Sequence, residues 1–132
     1  MIFYLASNWG SQRRIRDVRS KLVALGHTVR SGWLDETSAQ SFESLDPARR
    51  REYSYRDMGE IATVDVVCVD TQEPSPSGGR EVECGMALAH GKPLFVVGPS
   101  RNIFHEVAHR QYADWSEVFA VLLRAYHLTE EL

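Results

Sequence analysis

Two apolar runs, one on either side of a single short helical segment, constrain the fold of this chain more than any other feature. Val64-Asp65-Val66-Val67-Cys68-Val69-Asp70 and Leu94-Phe95-Val96-Val97-Gly98 read as strands buried on both faces. Between them, Ser77–Pro93 opens on Gly78-Gly79 and closes on Gly91-Lys92-Pro93. Its middle is apolar at Val82, Cys84, Met86, Ala87, Leu88 and Ala89. Two buried strands joined through a helix form a parallel pair, because an antiparallel pair needs no such crossover.

The rest of the chain repeats this alternation. Ile2–Ala6 reads as a first buried strand. Ser11 is placed to cap a helix whose apolar residues Ile15, Val18, Leu22, Val23 and Leu25 recur near helical spacing, with Gly26 ending it. His27–Trp33 reads as a second strand. The polar, Ser/Thr-rich Asp35–Glu43 reads as a loop or mobile cap. A helix is expected from about Asp46 to Thr63, with Arg49, Arg50 and Arg51 exposed and Met58, Ile61 and Ala62 buried. Beyond the loop Pro99–Phe104 come a short segment near Glu106–His109, a last strand around Gln111–Ala113 and a final helix over Trp115–Tyr126. Ala120, Val121, Leu123 and Leu128 are expected to pack that helix down. The pattern predicts an α/β, flavodoxin-like (Rossmann-like) three-layer sandwich with a five-stranded parallel sheet, in a single domain spanning residues 1–132. Ligands of such folds bind beyond the carboxyl ends of the strands.

The net charge of −3 argues against a nucleic-acid polymer as partner, since such domains are clearly basic. Lysine occurs only at Lys21 and Lys92, so the positive charge is almost all arginine. That suits phosphate recognition but equally reflects a GC-rich genome. Cys68 and Cys84 fall in a strand and an apolar helix and read as small buried hydrophobes. Met1–Ala6 is too short for a signal peptide, and no run approaches a membrane span. The expectation is a cytoplasmic protein with no membrane partner.

Several α/β sites are missing. Gly91-Lys92 is followed by proline, so there is no phosphate-binding P-loop. No G-x-G-x-x-G follows the first strand, no G-x-S-x-G elbow occurs, and Ala6-Ser7-Asn8 lacks the acids of a phosphoacceptor domain. His105 and His109 stand four apart without a third ligand nearby, so no metal is expected, and no organic cofactor either. Carboxylates and a phosphate-sized loop remain. Ser77, Gly78, Gly79 and Arg80 begin a helix, where free N–H groups, a hydroxyl and the dipole favour an anion. Taken alone, the loop is an ordinary capped turn and Glu83 an acid in the first helical turn. Glu83, however, shares a face with Ala87 and His90 in a mostly apolar helix.

The run Gly79-Arg80-Glu81-Val82-Glu83-Cys84-Gly85, then Met86–His90 and Gly91-Lys92-Pro93, resembles the G-x-x-x-E-x-G pattern of the nucleoside 2-deoxyribosyltransferase superfamily. That superfamily includes the 2'-deoxynucleoside 5'-phosphate N-hydrolases. Upstream, Arg56-Asp57 followed by Asp65-Val66-Val67 is similar to the family's aspartate context, and Tyr4-Leu5-Ala6-Ser7 resembles its Y-x-x-G start with Ser7 in place of glycine. The resemblance implies that Glu83 is a nucleophile attacking the anomeric carbon of a sugar. It implies that Asp57 orients Glu83 or the sugar or assists the proton on the base, and that Tyr4 fixes the nucleophile's rotamer. Asp65 and Asp70 are alternatives to Asp57. Ser77, six residues before the nucleophile, stands where the phosphate-accepting hydrolases carry serine. With Gly78, Gly79 and Arg80 it leans toward nucleoside 5'-monophosphates over free nucleosides. Ser100, Arg101 and Asn102 are further phosphate candidates, while Ser7, Asn8, Trp9, Trp33 and His105 are candidates for the base and its surroundings. A homodimer or higher homo-oligomer is implied as well. Two rivals stand beside this reading: a non-catalytic nucleotide-binding module and a TIR-like NAD glycohydrolase.

Overall fold

The computed structural model describes residues 1–36 and 42–130. Five strands, β1 (Ile2–Ala6), β2 (Thr28–Val29), β3 (Val66–Asp70), β4 (Leu94–Val97) and β5 (Arg110–Tyr112), form one sheet in the order β2-β1-β3-β4-β5. Every pairing is parallel, with Phe3 opposite Val66, Leu5 opposite Cys68 and Val69 opposite Val96. Four helices connect the strands: α1 (Gln12–Ala24), α2 (Pro47–Thr63), α3 (Gly79–Ala89) and α4 (Trp115–Glu130). The expected flavodoxin-like α/β fold is the one observed. No helix among the described residues is long and apolar enough to cross a membrane.

The central strands carry the core because both of their faces are covered. Phe3 to Ala6 and all five residues of β3 are buried, as are Leu94, Val96 and Val97 of β4. The edge strands are short and largely polar, which limits pairing with other chains.

The second strand is far shorter than the sequence predicts. After Val29 the chain leaves the sheet and turns through a short 3-10 segment at Gly32–Asp35. Side chains replace the missing ladder: Leu5 N–H donates to Ser31 Oγ at 2.8 Å, and Trp33 Nε1 donates to the Leu5 carbonyl at 2.8 Å. Trp33 thus reaches the sheet with its indole and not its backbone. Residues 37–41 of the expected loop or cap lie outside the described residues.

Three expected faces are corrected. Ile61 is buried on α2, whereas Met58 and Ala62 are exposed, because α2 touches the rest of the molecule along a narrow stripe. On α4 the buried set is Trp115, Val118 and Leu122, a helical stripe one position away from the expected one, which leaves Ala120, Val121, Leu123 and Leu128 outside. Ser11 precedes α1 but makes no capping bond with its side chain. Asn8 Oδ1 instead accepts from both Ser11 N and Ser11 Oγ.

At the carboxyl end of β3, Asp70 is 1% exposed and joins three elements. It accepts from Arg14 Nη1 and Nη2 at 2.7 and 3.0 Å, from Trp115 Nε1 at 2.6 Å and from Gln72 N at 3.1 Å. Its oxygens are therefore occupied by the fold, which removes Asp70 as an alternative catalytic acid. Asp65 is likewise occupied, accepting from Ile2 N at 2.7 Å. Replacing Asp70 with alanine leaves Arg14 and the buried Trp115 N–H without their acceptor. We expect a loss of about 3 kcal/mol or more in urea denaturation. A loss near zero would show that the cluster is not holding α1 and α4 to the sheet.

Candidate active site

The order β2-β1-β3 places the connections after β1 and after β3 side by side, on opposite sides of the point where the winding reverses. A cleft of about 190 Å³ opens there. Ser7 and Trp9 reach it from the end of β1, and Trp33 and Glu36 from the turn after β2. Tyr53, Arg56 and Asp57 line it from α2, and Ser77, Gly79, Arg80 and Glu83 from the start of α3. A second, more apolar cleft, lined in part by Met58, Val82 and Met86, shares Asp57, Gly79 and Glu83 with the first. The two carboxylates therefore stand where both openings meet.

Glu83 is not in the first turn of its helix, as the sequence suggests. Gly78, in the left-handed region at φ +79°, caps α3, and Glu81 occupies the first turn. Glu83 lies two residues further on, in the second turn. Its Oε2 is buried without a hydrogen-bond partner, and the same holds for the Tyr4 hydroxyl on β1. Burial pushes the Glu83 carboxyl up to about 8, with the charges of Asp57 and Glu60 adding to it. Bonding from Tyr4 and the charge of Arg56 work against the rise. Tyr4 and Glu83 are thus close neighbours whose polar atoms fall short of hydrogen-bond geometry. The Tyr4 phenol is itself pushed up, mainly by burial and then by the charges of Glu83 and Asp57. Burial also raises Asp57, to about 6, against the opposing charge and hydrogen bonds of Arg56.

Arg80 has a different role from the one its position suggests. It is 4% exposed, and Nη1 donates to the carbonyls of Asp70 at 3.3 Å and Glu73 at 2.6 Å. Nε and Nη2 each lie 2.9 Å from Glu81 Oε1. The guanidinium is committed to the wall of the cleft. Asn8 and Asn102 are not among the cleft's lining residues. Asn8 Nδ2 donates to Glu73 and the Pro74 carbonyl, while Asn102 bonds Glu81 and caps the turn at Phe104 and His105. Arg101 donates to the carbonyls of Thr71 and Gln72, Ser100 Oγ accepts from Gln111, and buried His105 pairs with Glu81. None of these three lines the cleft.

Glu81, Cys84 and His105 come close enough to suggest a metal site. Two of them, Glu81 and His105, are engaged with each other. His105 Nδ1 accepts from Arg101 N at 2.9 Å, so Nε2 carries the proton and donates to Glu81 Oε2 at 2.7 Å. Burial pushes the Cys84 thiol up to about 11.

Neither a protein-family model nor a curated protein matches the sequence. Solved structures do. A 2-deoxyribosyltransferase from Bacillus psychrosaccharolyticus is 25% identical, over 92% of this chain and 96% of that one, at a TM-score of 0.71. The CMP N-glycosidase BcmB of Clostridium botulinum is 20% identical over 92% and 98%, at 0.62. A 2-desoxiribosyltransferase from Leishmania mexicana is 13% identical over 93% and 97%, at 0.66. The fold is that of the nucleoside 2-deoxyribosyltransferase superfamily. These relatives are, by name, enzymes of glycosidic-bond chemistry, and the likeness spans nearly the whole of each chain.

Of the expected site residues, Ser7, Asp57, Ser77, Gly79 and Glu83 line the cleft, and Tyr4 lies beside Glu83. Trp9 and Trp33, with ring centroids 6.2 Å apart, are also there. Glu36, Tyr53 and Arg56 are additional lining residues. Arg56 stood beside Asp57 in the matched motif, whereas Glu36 and Tyr53 carry no local signal and arrive only through the fold.

The raised Glu83 carboxyl has a consequence for stability. Its proton is bound more tightly in the folded chain than at the ordinary value near 4.5. The stability it contributes is present below pH 4.5 and is lost as pH rises through about 8. At ~1.4 kcal/mol per unit, Glu83→Gln should be more stable than the parent by on the order of a few kcal/mol near pH 8.5. The difference should shrink toward pH 4.5. Thermal melts at the two pH values check this, and a gap that does not vary with pH would rule it out.

Proposed function

We propose that this protein cleaves the N-glycosidic bond of 2'-deoxynucleosides or related nucleosides, or of their 5'-monophosphates, with Glu83 as nucleophile. The observation that supports it is the pairing of two half-buried carboxyl groups, Glu83 and Asp57, at one cleft, with a buried Glu83 oxygen left unpartnered. Retaining cleavage uses such a pair: one carboxylate captures an oxocarbenium-like sugar while a proton reaches the departing group.

The electron count is simple. Glu83 gives a lone pair to the anomeric carbon as the bond from that carbon to the base nitrogen breaks, and the base leaves with the bonding pair and takes up a proton. Water, or a nitrogen of a second base, then attacks the same carbon and releases Glu83. Glu83, with a carboxyl near 8, holds its proton near neutral pH and must give it up for attack. Asp57, with a carboxyl near 6, is ionised there and can take that proton and pass it toward the base. Tyr4 completes its hydrogen bond to the ionised Glu83 as substrate closes the site. Trp9, Trp33 and Tyr53 supply aromatic surface for the base.

The charge of the cleft favours the uncharged nucleoside over its monophosphate. Three carboxyl groups line it, Arg80 is bound to Glu81, and Arg56 is bound to Glu36 and Asp57. Ser77 and the free N–H groups at the start of α3 support the monophosphate as the second substrate to test. A homodimer belongs to the same proposal, supported by the exposed Tyr55, Met58 and Val82 on α2 and α3.

The test is chromatography of products from deoxynucleosides, deoxynucleoside monophosphates and NAD, with and without a second base. Base release from a deoxynucleoside, faster than from its monophosphate, is the expected result, and base exchange would add transfer to hydrolysis. Glu83→Ala should lower the rate by at least about a thousandfold. Equal, negligible release by parent and variant from every substrate would leave a non-catalytic nucleotide-binding module. Release from NAD alone would favour the NAD glycohydrolase.

A further inference from the structure

The carboxylates at the cleft outnumber the cations available to them, and one arginine faces most of them. Arg56 Nη2 lies 2.6 Å from Glu36 Oε1 and 3.0 Å from Asp57 Oδ1, and Nε lies 3.7 Å from Glu60 Oε1. Its guanidinium also sits 4.8 Å from the centre of the Tyr53 ring. The remaining charged or titratable groups around it are Glu83 and Arg80 from α3 and Tyr4 from β1, with Arg80 already bound to Glu81. We propose that Arg56 is a positioning residue, the guanidinium that lets Asp57 stand ionised and correctly turned beside Glu83. The inference rests on the glycosidase reading for its catalytic consequence but not for its electrostatics.

Gly32 gives the arrangement a second, independent support. A Cβ at that position would meet Arg56 Cδ and Nε at 2.9 Å, while Glu60 accepts from Gly32 N with both carboxylate oxygens at 3.1 Å. The absence of a side chain at Gly32 is therefore what allows the arginine to lie across the turn. The fold holds this cation between Glu36 and Asp57 and presses it against the backbone. Burial opposes its charge, and the bonds to Glu36 and Asp57 more than compensate, so its ionisation is secure. A neutral side chain in its place would leave Asp57 facing Glu60, Glu36 and Glu83 with no counter-charge.

The experiment compares the parent with Arg56→Met, Arg56→Lys and Gly32→Ala. Carbon-13 carboxyl NMR titration of Asp57 and Glu83 in the ligand-free protein is the first readout. The pH profile of kcat/KM for base release is the second. In Arg56→Met the Asp57 midpoint should move up by about one pH unit, and the acid limb of kcat/KM should move with it. Activity should therefore fall more at pH 6 than at pH 8. Arg56→Lys, which can reach only one carboxylate at a time, should shift it less. Gly32→Ala, which displaces the guanidinium but keeps its charge, should shift the midpoint in the same direction. If Arg56→Met does not fold, the lysine and Gly32 variants decide the matter. An unmoved Asp57 midpoint in every folded variant, or an equal fold-loss at all pH values, overturns the proposal. Absence of base release by the parent would sink the glycosidase reading, and the NMR titration would still decide the role of Arg56.

Discussion

The buried guanidinium of Arg80 is the interaction on which the active end of this molecule depends. It ties the carbonyl ending β3 and the carbonyl of Glu73 to the first turn of α3, so a loop containing two prolines and a glycine is held to the sheet. Its partner Glu81 extends the network to Asn102 and His105 in the connection after β4, and Arg101 returns from there to the carbonyls of Thr71 and Gln72. The two connections also press together directly. A Cβ at Gly98, which has φ +122°, would stand 2.6 Å from Thr71 Oγ1 and 2.9 Å from Gln72 N, so only glycine fits there. Loops at the carboxyl edge of such a sheet are ordinarily its most mobile part. Here charged hydrogen bonds to backbone carbonyls make them a rigid support for α3.

With that support fixed, the cleft can hold a group of carboxyls that would otherwise repel one another apart. Glu36, Asp57, Glu60 and Glu83 come from two segments of the first half of the chain and one of the second, and Arg56 is the cation between the first three. Part of the repulsion is relieved by protonation. The raised Glu83 carboxyl carries a cost in stability of the kind that functional sites often show.

The sheet and its order were legible because buried parallel strands are continuous apolar runs, and Val66–Asp70 and Leu94–Val97 leave little alternative. The second strand extends too far in the sequence reading because Val29 and Trp33 bracket Arg30-Ser31-Gly32 and nothing in that run marks where pairing stops. Trp33 joins the sheet through a side-chain N–H, which no periodicity records. The faces of α2 and α4 were misjudged for a related reason: helical spacing gives a stripe, but which stripe is buried depends on where the helix lands. Of the site, Glu83, Asp57 and Tyr4 were legible through the family pattern. Arg80 looked like a ligand for phosphate because a sequence shows a charge but not its partners. Only the fold reveals that Glu73, Asp70 and Glu81 occupy it.

Glu81 and Glu83 show why residue type and spacing cannot by themselves identify a reactive carboxyl. They lie two residues apart on one helix and are chemically the same. Glu81 sits in the first turn, where the helix dipole favours an anion, and receives hydrogen bonds from Arg80, Asn102 and His105. These outweigh its burial and hold its pKa below the usual carboxylate range. Glu83 lies beyond the reach of the dipole, on the face turned toward Tyr4 and Asp57, where burial and like charge raise it to about 8. One is stabilised as a structural anion and the other keeps its proton up to about pH 8. A rotation of about 200° along a single helix separates the two roles. That separation places the unpartnered oxygen of Glu83, and not one of Glu81, at the cleft.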